Sequence, residues 1–231
     1  MRDEEFISEV EYEAAMIEPD DAFQALEGVP ALDLYLAEIE LMAHGLREED
    51  IKEIGKLYAK LLQEESVKLR DNLPQDHPLV LFLKEHEQIE DFLEILEKIT
   101  TSLKNHGMGF NVREAVLHNL DEMESHFIRE EEVLFKGLKQ VLGDEVSPRL
   151  SLLKREHGEI RLRRKRIMGI ENPEKHELIR ELNAMIYMLH HHKFMEDNML
   201  YPVAAHVLKD WTSLEKKAKD IGHCNFVDVP V

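Results

Sequence analysis

The sequence holds a single cysteine, Cys224, which excludes an intrachain disulfide and fits a reducing compartment. Its longest strongly apolar run, Leu79 to Leu83, is far short of the ~20 residues that span a bilayer. Positive charge is scarce: 29 basic residues face 48 acidic ones, a formal net charge of −19. Such a chain is repelled by phosphate backbones, which excludes non-specific nucleic-acid binding. The opening stretch, MRDEEFISEV, is acidic and lacks the basic end and apolar stretch of a signal peptide. The expectation is a soluble cytoplasmic protein. Glycine and proline are also few, 10 and 8, and several fall where helices should begin or end. No alternating strand pattern is bounded by turn signals, and Glu, Lys and Leu dominate, so the chain is expected to be all-α. Aromatic residues are sparse, with 9 Phe, 5 Tyr and 1 Trp, yet there are 13 His. The histidines are the anomaly.

With 231 residues the chain has room for one generous domain or two small ones, at ~100–200 residues per domain. Residues 1–30 are acidic and weakly patterned. A short helix is expected from Leu32 to Met42, stopping near Gly45, and Ile51, Ile54, Leu57, Tyr58, Leu61 and Leu62 form a helical stripe. DNLPQDHP, Asp71 to Pro78, breaks the pattern. Four long amphipathic segments follow. The first, about Leu79 to Leu103, carries Leu79, Leu83, Ile89, Leu93 and Leu96 near one face. Past a loop at Gly107 and Gly109, the second runs from about Val112 to Leu142 with Val116, Leu120, Met123, Val133 and Leu134 inward. Ser147-Pro148 and Asn172-Pro173 are start signals for the third and fourth. Their stripes are Leu150, Leu153, Ile160 and Ile167, then Leu178, Leu182, Met185, Leu189 and Leu200. Four such segments predict an antiparallel four-helix bundle over 76–208. A small helical N-terminal region over 1–75 precedes it, and a tail over 209–231 follows without clear periodicity.

Five histidines have Glu four residues on: His44, His86, His118, His126 and His192. With 34 Glu in the chain, chance supplies roughly two such pairs, so the spacing alone is weak. Position separates them. His118 is rotated away from the Val116–Leu120–Met123 stripe, and Gly45 interrupts any helix joining His44 to Glu48; both read as surface features. His126 and Glu130 lie on the apolar stripe of the second segment, and His192 and Glu196 on that of the fourth. A carboxylate there is costly unless paired or bound to a metal. HFIREEEVLF (126–135) and HKFMEDNMLY (192–201) align without gaps 66 residues apart. Each half also has an inward His on its preceding segment, His86 between Leu83 and Ile89, and His157 between Leu153 and Ile160. A lone apolar-face His is usually a satisfied core residue; four in two matched sets beside two inward glutamates read as metal ligands.

Four imidazoles and two carboxylates are too many for one tetrahedral zinc. If Glu130 and Glu196 each bridge two ions, and a solvent-derived oxo or hydroxo bridge joins them, each ion has about five ligands and one open place. Such mixed ligation suits two non-haem iron ions, ahead of manganese, with zinc as an adventitious occupant, and the open places suit dioxygen or nitric oxide. The Glu-x-x-His spacing of ferritin-like bundles is absent. His190 and His191 point about 160° and 100° away from His192 on a helix. His192 is the assigned ligand and His191 the alternative. Glu90 and Glu156 are candidate partners for ring N–H groups, or plain exposed carboxylates. The basic run Arg161 to Arg166 is either a set of internal salt bridges or a docking patch for an acidic partner. Cys224 reads as an ordinary thiol and His77 as structural.

KEHEQI, HFIREEEVLF, KREHGEI and HKFMEDNMLYP together resemble a hemerythrin-like (HHE cation-binding) domain over about Asp76 to Leu208. The resemblance implies a di-iron bundle with His86, His126, His157 and His192 as terminal ligands and Glu130 and Glu196 as bridges. Oxygen-carrying members have a further His where Arg161 stands and usually Asp where Glu196 stands. The chain is therefore similar to the six-ligand branch, which includes proteins implicated in iron–sulfur cluster repair, although their cysteine-bearing N-terminal domain has no counterpart here. GLREEDIKEIGKLYAKLL followed by DHPLVLFLKEHEQI more loosely resembles an uncharacterised helical domain found ahead of such bundles in prokaryotes. That family tends to have Cys and His where Gly55 and Tyr58 stand, and often a PAS domain behind. No PAS-sized segment follows Val231, so signalling output is expected through a partner. Binding or sensing of dioxygen or nitric oxide is the first functional expectation. Iron donation or redox catalysis is the alternative, covering cluster repair and nitric-oxide or peroxide reduction. A metal-free interaction module is the reading that the repeat opposes.

Overall fold

The computed structural model describes residues 28–45, 71–104, 110–169 and 175–229, with Leu26, Arg47, Ser66, Val67 and Leu69. The expected stripe from Ile51 to Leu62, the Gly107–Gly109 loop and the Asn172-Pro173 signal lie outside them. Every described element is helical, and no described helix is long and apolar enough to cross a membrane.

Helix α1 spans Ala31–Ala43. Helix α2, Pro78–Leu103, begins where Pro78 takes the first helical position and His77 Nδ1 accepts the Leu79 N–H at 3.2 Å. His77, expected to be structural, thus caps α2, and its ring lies 4.5 Å from that of Trp211. The second long segment is not one continuous α-helix. Helix α3, Phe110–Arg129, passes through a wide π-helical turn, Glu130–Leu134, into α4, Phe135–Leu142. A short 3-10 turn, Gly143–Val146, leads to α5, Ser147–Gly169. The last long segment repeats the irregularity: α6, Lys175–Met195, a π turn at Glu196–Leu200, then α7, Tyr201–Val207.

Consecutive long helices neighbour one another, and α6 closes the ring by packing on both α2 and α5. This is the expected four-helix bundle. The predicted stripes supply its core: Leu79, Leu93, Leu96, Leu182 and Met185 are wholly buried. The apolar interior divides into two clusters. One gathers Leu79, Leu83, Leu134, Leu138, Leu150 and Val203; the other gathers Ile89, Leu93, Leu120, Ile160, Leu182 and Leu189. Between them lies a layer of buried polar side chains from all four helices.

Two further pieces cover the bundle. Helix α1 buries Leu34, Tyr35, Glu38 and Ile39 against α5 and α7. Glu38 Oε1 lies 3.1 Å from Arg149 Nη1, and both residues are 2% exposed. The stretch expected to be an unpatterned tail folds as α8, Trp211–Ile221, capped by Asp210 Oδ1 accepting the Ser213 N–H. Leu214 and Ala218 are its buried positions, and Leu214 packs over Gly137. Lysines between the apolar positions hide this spacing in the sequence. Residues 222–229 then run back along α3: Val227 and Asn119 exchange two hydrogen bonds, and Val229 is buried.

The Glu38–Arg149 pair generates an asymmetric prediction. Burial, only partly offset by Arg149, raises the Glu38 carboxyl to about 7, so Glu38 can neutralise itself by taking up a proton. Arg149 has no such option. Glu38→Ala is expected to destabilise the protein by about 3–5 kcal/mol and Arg149→Ala by less, as urea unfolding of the metal-free protein at pH 7 will measure.

Candidate metal centre

The polar layer contains six side chains from the four long helical segments: His86 on α2, His126 on α3 with Glu130 opening its π turn, His157 on α5, and His192 on α6 with Glu196 opening the second π turn. All six are 0–3% exposed. They form two groups that share both glutamates. Donor atoms of His86, His126, Glu130 and Glu196 lie within 4.8 Å of one another, and so do those of Glu130, His157, His192 and Glu196. Each glutamate turns one oxygen to each group. Glu130 Oε1 is 3.6 Å from His126 Nε2 while its Oε2 is 3.3 Å from His157 Nε2. Glu196 Oε2 is 3.4 Å from His86 Nε2 while its Oε1 is 3.0 Å from His192 Nε2. Of the three adjacent histidines, only His192 enters the cluster; His190 faces Glu90 and Glu97.

Every ring is held from behind by a carboxylate. Nδ1 of His86 bonds Asp197 at 2.7 Å, that of His126 bonds Glu85 at 3.0 Å, that of His157 bonds Glu131 at 3.0 Å, and that of His192 bonds Glu156 at 2.9 Å. These partners obey the repeat. Glu85 and Glu156 directly precede His86 and His157, while Glu131 and Asp197 directly follow Glu130 and Glu196. Each belongs to one helical segment and bonds a histidine on another, so the four helices are cross-tied in a ring. Glu156 takes the role considered for it. Glu90 does not; it pairs with Lys193 at 3.1 Å. Glu85, Glu131 and Asp197 were missed, although their adjacency to the motif residues in both halves was the available signal.

The acceptor behind each ring marks Nδ1 as the protonated nitrogen and leaves the Nε2 lone pair facing inward. Those lone pairs face each other: His86 and His126 Nε2 are 3.0 Å apart, and His157 and His192 Nε2 are 2.8 Å apart. Glu130 Oε2 and both oxygens of Glu196 are buried with no hydrogen-bond partner. Opposed lone pairs and orphaned carboxylate oxygens in one buried layer require cations. In the absence of a metal the cations are protons. Burial works against a charged His86, but Asp197 and Glu196 outweigh it and hold the ring up to about 10. Glu130, Glu131 and Glu196 likewise raise His157, and Glu196 with Glu156 raises His192.

The π turns explain what flanks the cluster. In a straight α-helix the residue five beyond a glutamate lies about 140° away from it. In a π turn the fifth residue closes the ring, and the amides of Phe135 and Tyr201 donate to the carbonyls of Glu130 and Glu196. Phe135 and Tyr201 are thereby brought back towards the layer. Phe135 stacks on His157 with centroids 5.9 Å apart, and Tyr201 lies against His86 at 5.2 Å.

Beyond the carboxylates stand cations. Arg129 bonds both Glu85 and the Gly222 carbonyl, and the Cys224 amide donates to Glu85 at 3.2 Å. Burial would push the Glu85 carboxyl up, but His126, Arg129 and the Cys224 amide pull it down to about 2. Cys224 is itself buried, and its thiol is pushed up to about 11, chiefly by that burial. Arg161 bonds Glu124 and Glu131 and stays outside the cluster. Arg163 bonds Glu181, and Arg164 lies 2.9 Å from Asp121. These three charges of the basic run are therefore engaged inside the molecule, tying α5 to α3 and α6. His118 lies away from the layer and bonds the Asn225 carbonyl. A cavity of about 640 Å³, lined in part by Tyr187, His190 and Lys193, touches the arrangement only through Asp197.

A buried layer of four carboxylate-backed histidines and two shared glutamates, inside a four-helix bundle, defines a cation-binding helical protein. The family model for the hemerythrin HHE cation binding domain matches residues 77–204, and the chain belongs to that family. No curated protein and no solved structure matches it.

Cation uptake must displace ring protons. His86 is raised from its ordinary 6.5 to about 10, so the stabilisation its proton confers is complete below pH 6.5 and is lost as pH climbs through about 10. Divalent-cation affinity is expected to rise with pH over that window. Co²⁺ titrated into metal-free protein at pH 7 in weak buffer should release protons, read with an indicator dye.

Proposed function

We propose that the layer holds two iron ions, with His86 and His126 as terminal ligands of one, His157 and His192 of the other, and Glu130 and Glu196 bridging both. The observation that carries this reading is the pairing of opposed Nε2 atoms with three orphaned carboxylate oxygens. The donor set fits: imidazole and carboxylate together suit iron, and two shared carboxylates suit a pair of ions. When bound, the ions supply a redox-active centre with room for a diatomic ligand such as dioxygen or nitric oxide, and the protein serves to bind or sense it.

The chain's own residues hold the rings and exclude water. Asp197, Glu85, Glu131 and Glu156 orient the four imidazoles. The two apolar clusters above and below seal the layer. Phe127 stacks on His157 at 4.4 Å, adding an apolar wall on that side. One observation favours a second reading, redox turnover or iron donation: a buried hydroxyl, Tyr201, stands within the layer and could supply a proton.

Metal analysis after expression in iron-supplemented medium is expected to find two irons per chain. His126→Ala and Glu196→Ala should lose iron at least tenfold in affinity, and His118→Ala should keep it. Loss in His118→Ala, or one metal per chain at saturation, would refute the assignment. Stopped-flow mixing of the reduced protein with oxygen separates the two readings. A stable, reversible absorbing species supports binding, and rapid bleaching supports turnover.

A further inference from the structure

The two halves of the site carry the same six ligand types but differ around them, with Glu131 aligned to Asp197, Phe127 to Lys193 and Arg129 to Met195, and one further difference reaches a shared glutamate. The repeat aligns Phe135 with Tyr201, and each is delivered to the layer by the π turn that begins on a bridging glutamate. Phe135 presents only a ring edge and face to His157. Tyr201, 0% exposed, donates its hydroxyl to Glu130 Oε1 at 2.5 Å, and the same hydroxyl oxygen is 3.1 Å from His86 Nε2. Among the four oxygens of the two shared glutamates, Glu130 Oε1 alone has a hydrogen-bond donor; the other three have none. The ligands themselves give each group two imidazoles and one oxygen of each glutamate, so nothing else among them distinguishes the groups.

We infer that Tyr201 is a positioning residue that makes the two metal positions unequal. Its hydrogen bond draws electron density from the oxygen that Glu130 offers to the His86–His126 position. The same single O–H proton can serve an incoming small ligand at that position only by turning from Glu130 Oε1, which exchanges one hydrogen bond for another. The His157–His192 position faces Glu130 Oε2 and Glu196 Oε1, neither of which has a hydrogen-bond donor, and has an apolar neighbour in Phe135. The small ligand is therefore received at the His86–His126 side, and the class it fits is one whose bound atom accepts a hydrogen bond. This rests on the di-iron reading above.

The test is Mössbauer spectroscopy of the full chain loaded with ⁵⁷Fe. The wild type is expected to show two quadrupole doublets of equal area. Tyr201→Phe removes the hydroxyl, and Phe135→Tyr places a matching one beside His157. Either change removes the hydroxyl difference between the halves, so each should draw the doublets together while two irons per chain are retained. A single doublet in the wild type would overturn the inference even if neither variant folds. So would an unchanged separation in either folded variant. A visible tyrosinate charge-transfer band in the ferric wild type, lost in Tyr201→Phe, would overturn it too by making Tyr201 a ligand. A wild type that binds no iron would refute this inference together with the reading beneath it, and metal analysis registers that outcome separately.

Discussion

Two glutamates stand in the centre of a helical bundle at 0% exposure, where an uncompensated carboxylate costs on the order of several kcal/mol. The organisation of the protein can be derived from that constraint. Glu130 and Glu196 cannot be hydrated, so the bundle must present cations or protons to them. It does so with four imidazoles, which in turn must be held so that their lone pairs face inward. Holding them requires four more carboxylates, and three of these have cations beside them: Arg129 on Glu85, Arg161 on Glu131 and Lys193 on Asp197. Charge alternates outward from the centre, layer by layer.

This alternation also gives the net charge of −19 a partial structural account. Six of the acidic residues belong to the centre, and bound cations would offset them. The two apolar clusters on either side supply the hydrophobic burial that the polar layer forgoes. The cross-ties between helices, each from a carboxylate on one segment to a histidine on another, specify which helix neighbours which. Apolar stripes alone would tolerate sliding; four hydrogen bonds at fixed heights would not.

Much of this was legible in the sequence because the bundle follows the 3.6-residue period closely. Stripes such as Leu79–Leu83 and Leu182–Met185–Leu189 locate the core faces, and the 66-residue repeat locates the six inward polar residues. The π turns were not legible. A continuous amphipathic pattern runs through Glu130–Leu134 and Glu196–Leu200, and a one-residue widening of a helix leaves no composition mark. Hence nothing in the pattern marks Tyr201, although its hydroxyl reaches Glu130. The carboxylates behind the rings were obscured for a different reason. In a chain with 34 Glu, a glutamate beside a histidine is unremarkable until the repeat is followed one residue further on each side. Helix α8 was hidden by its lysines, and its role shows only through what it carries with it.

That role concerns order in time. Glu85, which orients His126, receives the Cys224 amide directly and the Gly222 carbonyl through Arg129. Residues 222–224 are synthesised after all four long helices that supply the site. During translation the bundle can therefore collapse around its apolar faces while Glu85 still lacks the Cys224 amide and Arg129 still lacks the Gly222 carbonyl. The last arrangement to mature is then the support behind one imidazole, that of His126.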